Sequence, residues 1–86
     1  MRALLVISAL LLGATSAFAA DRPVSADEKP KLEAAVKAQG CAGGKMEFDL
    51  DDKKFEVDKA VCADGKKYDL NFDANYKLIS KNLDKD

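Results

Sequence analysis

The stretch from Cys41 to Asp73 constrains the fold most, because apolar and polar side chains alternate along three short segments of it. The apolar positions of these segments are Met46, Phe48, Leu50, Phe55, Val57, Tyr68, Leu70 and Phe72. A period of two with one apolar side is typical of an antiparallel sheet that buries one face, since successive side chains of a strand point to opposite faces. The pattern predicts three strands, and a fourth is predicted over residues 76–81.

One helix is predicted upstream of the strands. A start with Asp27 as N-cap places Pro30 in the first turn, where a missing backbone N–H costs no hydrogen bond. Ser25 and Glu28 have the spacing of a capping box, but that start puts Pro30 deeper in the helix, where proline is costly. Gly40 is expected to end the helix. The helix should lie across the sheet and cover five apolar residues: Phe48, Leu50, Val57, Leu70 and Phe72.

The first residues have the pattern of a secretory signal peptide. A basic start, a run of leucine, alanine and valine, and a closing Ala-Phe-Ala predict a cleaved segment over residues 1–19, with cleavage after Ala19 or alternatively after Ala20. An uncleaved membrane anchor is the competing interpretation, but the apolar run is short and no basic cluster follows it. We therefore expect a periplasmic or secreted protein with no stable membrane anchor. The remainder is predicted to comprise a flexible leader (20–26), one domain (27–81) and a frayed charged tail (82–86).

The two cysteines, Cys41 and Cys62, are predicted to form a disulfide, because an even count in an exported protein usually means paired thiols. Redox-active pairs usually have C-x-x-C spacing, and these two are far apart. A metal site would need further ligands, and the chain has no histidine. Two free thiols would be unusual in an oxidising compartment. A disulfide would supply the cross-link that so small a core needs.

The composition favours a protein without catalytic or nucleic-acid-binding function. The formal net charge of −1 argues against nucleic acid, which selects a clustered positive surface. A chain without histidine lacks the usual base for nucleophilic catalysis, so we expect neither an enzyme nor a cofactor. Asp69, Asn71 and Asp73 match the opening of an EF-hand loop, but Ala74 replaces its turn glycine and Ser80 its closing glutamate. No dedicated metal site is predicted.

The polar positions of the strands predict an acidic sheet face on the side away from the helix. Its members are Glu47, Asp49, Glu56, Asp58, Asp69, Asn71 and Asp73. Such a face can simply keep an antiparallel sheet soluble. It can also serve as a platform for a basic or peptide-like partner, with an exposed strand edge adding main-chain pairing.

The order of these elements resembles a PepSY domain. The most telling segment starts with Asp64-Gly65-Lys66, continues as an alternating strand and ends with an aspartate that opens a turn, Asp73-Ala74-Asn75. Tyr76 follows directly where the family usually has a glycine, and the paired cysteines are not a general family feature. The resemblance covers about residues 27–81.

The resemblance implies an α+β module in which one N-terminal helix packs on three or four antiparallel strands. It also implies that the module binds another exported protein, with peptidase inhibition as a special case. Two other functions remain open from the sequence: a small-ligand or cation-binding protein of the envelope, and a structural accessory domain.

Overall fold

One helix packs on a six-stranded antiparallel sheet in the computed structural model, which describes residues 20–85. The elements in chain order are β1 (Asp21–Pro23), α1 (Glu28–Ala38), β2 (Cys41–Ala42), β3 (Lys45–Asp49), β4 (Lys54–Cys62), β5 (Lys67–Asp73) and β6 (Leu78–Leu83). The strand order is β1-β3-β4-β5-β6, and β2 pairs with β4 beyond the end of β3. The α+β class is confirmed, but the predicted three or four strands are too few. The predicted signal peptide lies outside the described residues.

Two short segments belong to the sheet although the sequence predicted them to be flexible. In the predicted leader, Asp21–Pro23 pairs with β3, so that Asp21 lies opposite Asp49. Three residues are too few to display a period of two, which is why the pattern missed β1. At the other end, β6 continues through Leu83 into the predicted frayed tail. The folded unit is therefore wider than residues 27–81.

The core lies between α1 and the middle of the sheet. Its buried side chains are Leu32, Val36, Cys41, Phe55, Val57, Ala60, Cys62, Leu70 and Phe72. Of the residues predicted to lie under the helix, Phe48 is only partly buried and Leu50 is 38% exposed. Leu50 is exposed because β3 ends at Asp49 and the chain turns there. Among residues 20–85, no helix is long and apolar enough to cross a membrane.

A capping box formed by Ser25 and Glu28 stabilises the helix start, although the position of Pro30 in the sequence argued against it. Ser25 Oγ accepts a hydrogen bond from the Glu28 N–H (3.1 Å), and Glu28 Oε1 accepts one from the Ser25 N–H (2.9 Å). The Lys29 N–H also donates to the Ser25 carbonyl, so the first turn begins there. Asp27 occupies the N-cap position, as predicted, but its side chain makes no capping bond. Proline is tolerated because the carbonyl left without a donor belongs to exposed Ala26, where water can replace it.

Arg22 fastens β1 to the helix start. Its two terminal nitrogens donate to the two carboxylate oxygens of Glu28 at 2.8 and 2.9 Å, and its guanidinium lies 4.6 Å from the centre of the Phe48 ring. A bidentate arginine–carboxylate pair is among the stronger hydrogen-bonded ion pairs. The pair and the Ser25 N–H together lower the pKa of Glu28 to about 2.

We expect Glu28→Gln to remove an acid-sensitive part of the stability. A depressed native pKa contributes stability above the unfolded pKa of 4.5, and this contribution is lost as the pH falls toward 2. The substitution should cost about 1 kcal/mol at neutral pH, a small value because the Arg22 side chain is 37% exposed. Urea unfolding between pH 2 and 7 would measure it. Wild-type and variant curves should converge at the acid end, and a constant separation over the whole range would contradict the assignment.

Of the three non-glycine residues with positive φ among residues 20–85, Lys59 and Tyr76 shape the sheet. Lys59 (φ 58°) is part of a bulge where the β4–β5 register shifts between Val57 and Ala60. Tyr76 (φ 65°) takes the left-handed conformation in the last turn, at the position where PepSY domains usually have a glycine. Its ring stacks on Phe55 with centroids 4.9 Å apart, and this contact offsets the cost of the unfavourable φ.

The predicted disulfide is present between Cys41 and Cys62. The two residues face each other in the β2–β4 pair, and both are buried. The bond therefore joins the segment that follows the helix directly to the end of the longest strand.

Candidate functional site

The sheet face away from α1, which we call the open face, gathers all seven predicted acidic-face residues. The register aligns Glu47 with Glu56 and Glu56 with Asn71, so these residues form one row across three strands. A second row runs from Asp21 and Asp49 through Lys54 to Asp73. Asp58 on β4 and Asp69 on β5 alternate with buried residues of their strands, so they also point to the open face. Alternation along the strands thus places these side chains on one surface.

Three of the acidic residues also hold the backbone in place. Asp49 Oδ1 accepts from the N–H groups of Asp51 and Asp52 in the turn after β3. Asp69 Oδ1 accepts from the N–H of Lys59 at the bulge (3.0 Å). Asp73 caps the last turn in the same way, at the N–H groups of Asn75 and Lys77. Local bonds of this kind are a common use of aspartate, so these three have a structural role as well.

The centre of the open face is a group of carboxylates from neighbouring strands. One carboxylate oxygen from each of Asp21, Glu47 and Glu56 lies within 4.8 Å of the other two. Partial burial, followed by the charges of Asp21 and Asp49, raises the pKa of Glu56. Partial burial, followed by the charges of Asp69 and Glu47, raises the pKa of Asp58. The like charges therefore repel one another at neutral pH, which a cationic partner would relieve.

Lysines partly offset this charge at the margins of the open face. Lys45 lies opposite Asp58 and its Nζ is 3.5 Å from a carboxylate oxygen of Glu47. Lys54 lies between Asp49 and Asp73 in the register. Lys54 lowers the pKa of Glu56 and Lys45 that of Asp58, but in each case by less than partial burial and the neighbouring acidic charges raise it. The open face remains net acidic.

Asp21 was not among the predicted residues of this face, because it lies in the segment predicted to be flexible. The available signal was the charge pair formed by Arg22 and Glu28, which has the right sign to fasten the leader to the helix. Once Arg22 points to the helix side, the alternation of strand side chains puts Asp21 on the open face.

A concave surface lies between α1 and the β2–β3 segment. It is a cleft of about 310 Å³ lined by Glu33, Val36, Lys37, Cys41, Ala42, Gly43 and Met46. Binding sites for small molecules combine apolar walls with a few convergent polar groups. Here the polar members, Glu33 and Lys37, lie on the exposed side of the helix, so the cleft has the volume of a ligand site without its polar anchors.

The chain belongs to the peptidase propeptide and YPEB domain family, the PepSY type, whose family profile matches residues 3–82. This confirms the resemblance seen in the sequence. Domains of this family are generally non-catalytic modules of the propeptide or inhibitor type, typically in exported proteins. Neither the curated proteins nor the solved structures contain a significant match to the chain.

Proposed function

We propose that this protein is an exported, non-catalytic module that binds another exported protein on its acidic open face. The observation that carries the proposal is the alignment of carboxylates from four strands on one face that the helix leaves uncovered. Complementary charge accelerates association and excludes partners of the wrong sign. The partner surface should therefore carry lysine or arginine, since these would relieve the repulsion around Glu56 and Asp58.

Regulation of a peptidase is the form of this function that the family suggests. The family description refers to peptidase propeptides, which supports a peptidase as the first partner to test. The signal-like segment at residues 1–19 and the buried disulfide both support an oxidising compartment outside the cytoplasm.

Cation binding is the second candidate function, because the oxygens of Asp21, Glu47 and Glu56 approach one another. A calcium site needs six to eight oxygen ligands, and this group supplies one carboxylate from each of three residues. Exposed carboxylates also gather without an ion. Protein docking is therefore the better supported function, and calcium serves as a comparison in the test.

The test is affinity capture from an extract of the protein's own cell envelope. The bait is the protein purified from cells that express the full chain. A face variant, Glu47→Gln/Glu56→Gln/Asp58→Asn, is compared with a control variant, Asp27→Asn/Asp51→Asn/Asp52→Asn, which changes the net charge equally away from the centre of the open face. Wild type and control should retain one protein in stoichiometric amount, and the face variant should lose it.

Equal retention by the face variant would contradict docking on this surface. A folded bait that retains nothing, but whose melting temperature rises with calcium, would favour the cation-binding function. A retained peptidase would next be titrated with the protein, and the regulatory form predicts that its residual activity changes with a one-to-one end point.

A further inference from the structure

The edge of the sheet formed by β6 is not covered on either face by any of residues 20–85. The buried core residues come from α1, β2, β4 and β5, and β6 contributes none. Leu78, Ile79 and Leu83 are exposed, Ile79 by 57%. A long edge strand with exposed apolar side chains is a template for pairing with another chain.

The opposite edge of the sheet is protected. β1 has only three residues, Pro23 has no N–H to donate, and the Arg22 side chain is tied to the helix. β6 is twice as long and contains no proline. A charged side chain such as Lys81 can discourage pairing at an edge. However, Lys81 Nζ lies 4.8 Å from the centre of the Tyr68 ring on the neighbouring strand, so its charge points toward the sheet and away from the edge.

The hydrogen-bond register identifies which main-chain groups of β6 face outward. The Asp84 N–H donates to the Lys67 carbonyl at 2.9 Å, and the pairs that follow along the ladder are Tyr68 with Leu83, Asp69 with Asn82 and Leu70 with Lys81. Residues of an antiparallel strand alternate between bonding to one neighbour and pointing away from it. The N–H and C=O groups of Lys81 and Leu83 therefore point to the open edge.

We propose that the β6 edge binds an extended segment of the partner protein, in which basic and apolar residues alternate, as an added strand. On the open face, Ser80 and Asn82 are short and uncharged. Long lysine or arginine side chains of the added strand can cross them toward Asp69 and Asp73 on β5. On the helix side, Leu83 and Leu78 offer apolar contacts. This inference rests on the proposed function, because the same acidic face selects the partner.

The test uses a short, end-blocked peptide of alternating lysine and valine, with the purified protein from cells that express the full chain. Binding should protect the Lys81 and Leu83 amides from hydrogen exchange. Leu83→Pro removes the outward N–H but leaves the ladder to β5, and it should weaken binding at least about tenfold. Leu83→Ala, which keeps the N–H, should weaken it by less than about threefold. The same peptide with alternate amides methylated should not bind.

Each other outcome has a distinct meaning. Peptide binding with equal affinity for Leu83→Pro and Leu83→Ala, and without amide protection, would overturn strand addition. Docking on the open face would survive that result if the variant Glu47→Gln/Glu56→Gln/Asp58→Asn still weakened the peptide. If this variant had no effect either, both proposals would be wrong. A protein that sediments alone as a dimer, and as a monomer with Leu83→Pro, would identify a second copy as the occupant and overturn the proposal of a partner strand.

Discussion

Replacement of both cysteines, Cys41→Ser/Cys62→Ser, should lower the free energy of unfolding by about 3 kcal/mol. The bond closes a loop with a sequence separation of 21, and the open loop gives the unfolded chain more conformations. A domain this small has only a few kcal/mol of net stability from its core. Urea unfolding followed by circular dichroism should therefore show a variant that is substantially unfolded without denaturant.

The Cys41→Ala/Cys62→Ala variant separates the cross-link from buried polarity, because both cysteines are buried and a serine hydroxyl there would need a partner. The alanine variant should lose most of the same stability, and reduction of the wild type should have a similar effect. Wild-type stability in the reduced protein would show that β2 is held by packing alone and that the disulfide is dispensable.

Among the glycines at positions 40, 43, 44 and 65, Gly44→Ala should be the most damaging substitution, lowering the free energy of unfolding by about 3 kcal/mol. Gly44 has φ 96° and lies close against β4 at the bulge. An added Cβ would lie 2.7 Å from Val57 Cγ1 and 2.9 Å from the Asp58 carbonyl oxygen. The positive φ alone costs an alanine about 1–2 kcal/mol, and the overlap adds a similar amount.

Gly65→Ala is the matched control for this prediction. Gly65 also has a positive φ (81°), but a Cβ there would meet no atom within 4 Å. This variant should lose about 1 kcal/mol of unfolding free energy, from the cost of the positive φ alone. Thermal unfolding of both variants measures the difference. Equal losses would mean that the chain relaxes around Gly44 and that its close approach to the bulge is not needed.

The strands with clear alternation could be predicted from the sequence, and the segments fixed by tertiary contacts could not. β3, β4 and β5 each repeat the pattern often enough to reveal a period of two. β1 is placed by Arg22, whose partners Glu28 and Phe48 come from two other elements. The helix begins at Glu28 after Asp27, as predicted, but the capping bonds come from Ser25 and Glu28, which Pro30 allows because the carbonyl it leaves without a donor belongs to exposed Ala26.

The sequence predicted which acidic side chains share one sheet face, but not which of their carboxylates lie close together. The alternation of side chains along each strand places the acidic residues on one face, whatever the order of the strands in the sheet. The closest group of carboxylates depends on register, and it includes Asp21 from the strand that was missed. The structural roles of Asp49, Asp69 and Asp73 follow from turn and bulge geometry that alternation does not encode.

Amide chemical-shift mapping of the isotope-labelled protein with its captured partner tests the central claim most directly. Docking on the open face predicts large changes on β3 and β4, at Glu47, Glu56 and Asp58, in addition to those that strand addition predicts at Lys81 and Leu83 on β6. The exposed helix residues Lys29 and Glu33 should change little. The largest changes on the helix, with β3 and β4 unaffected, would contradict the assignment of the acidic sheet face as the binding surface.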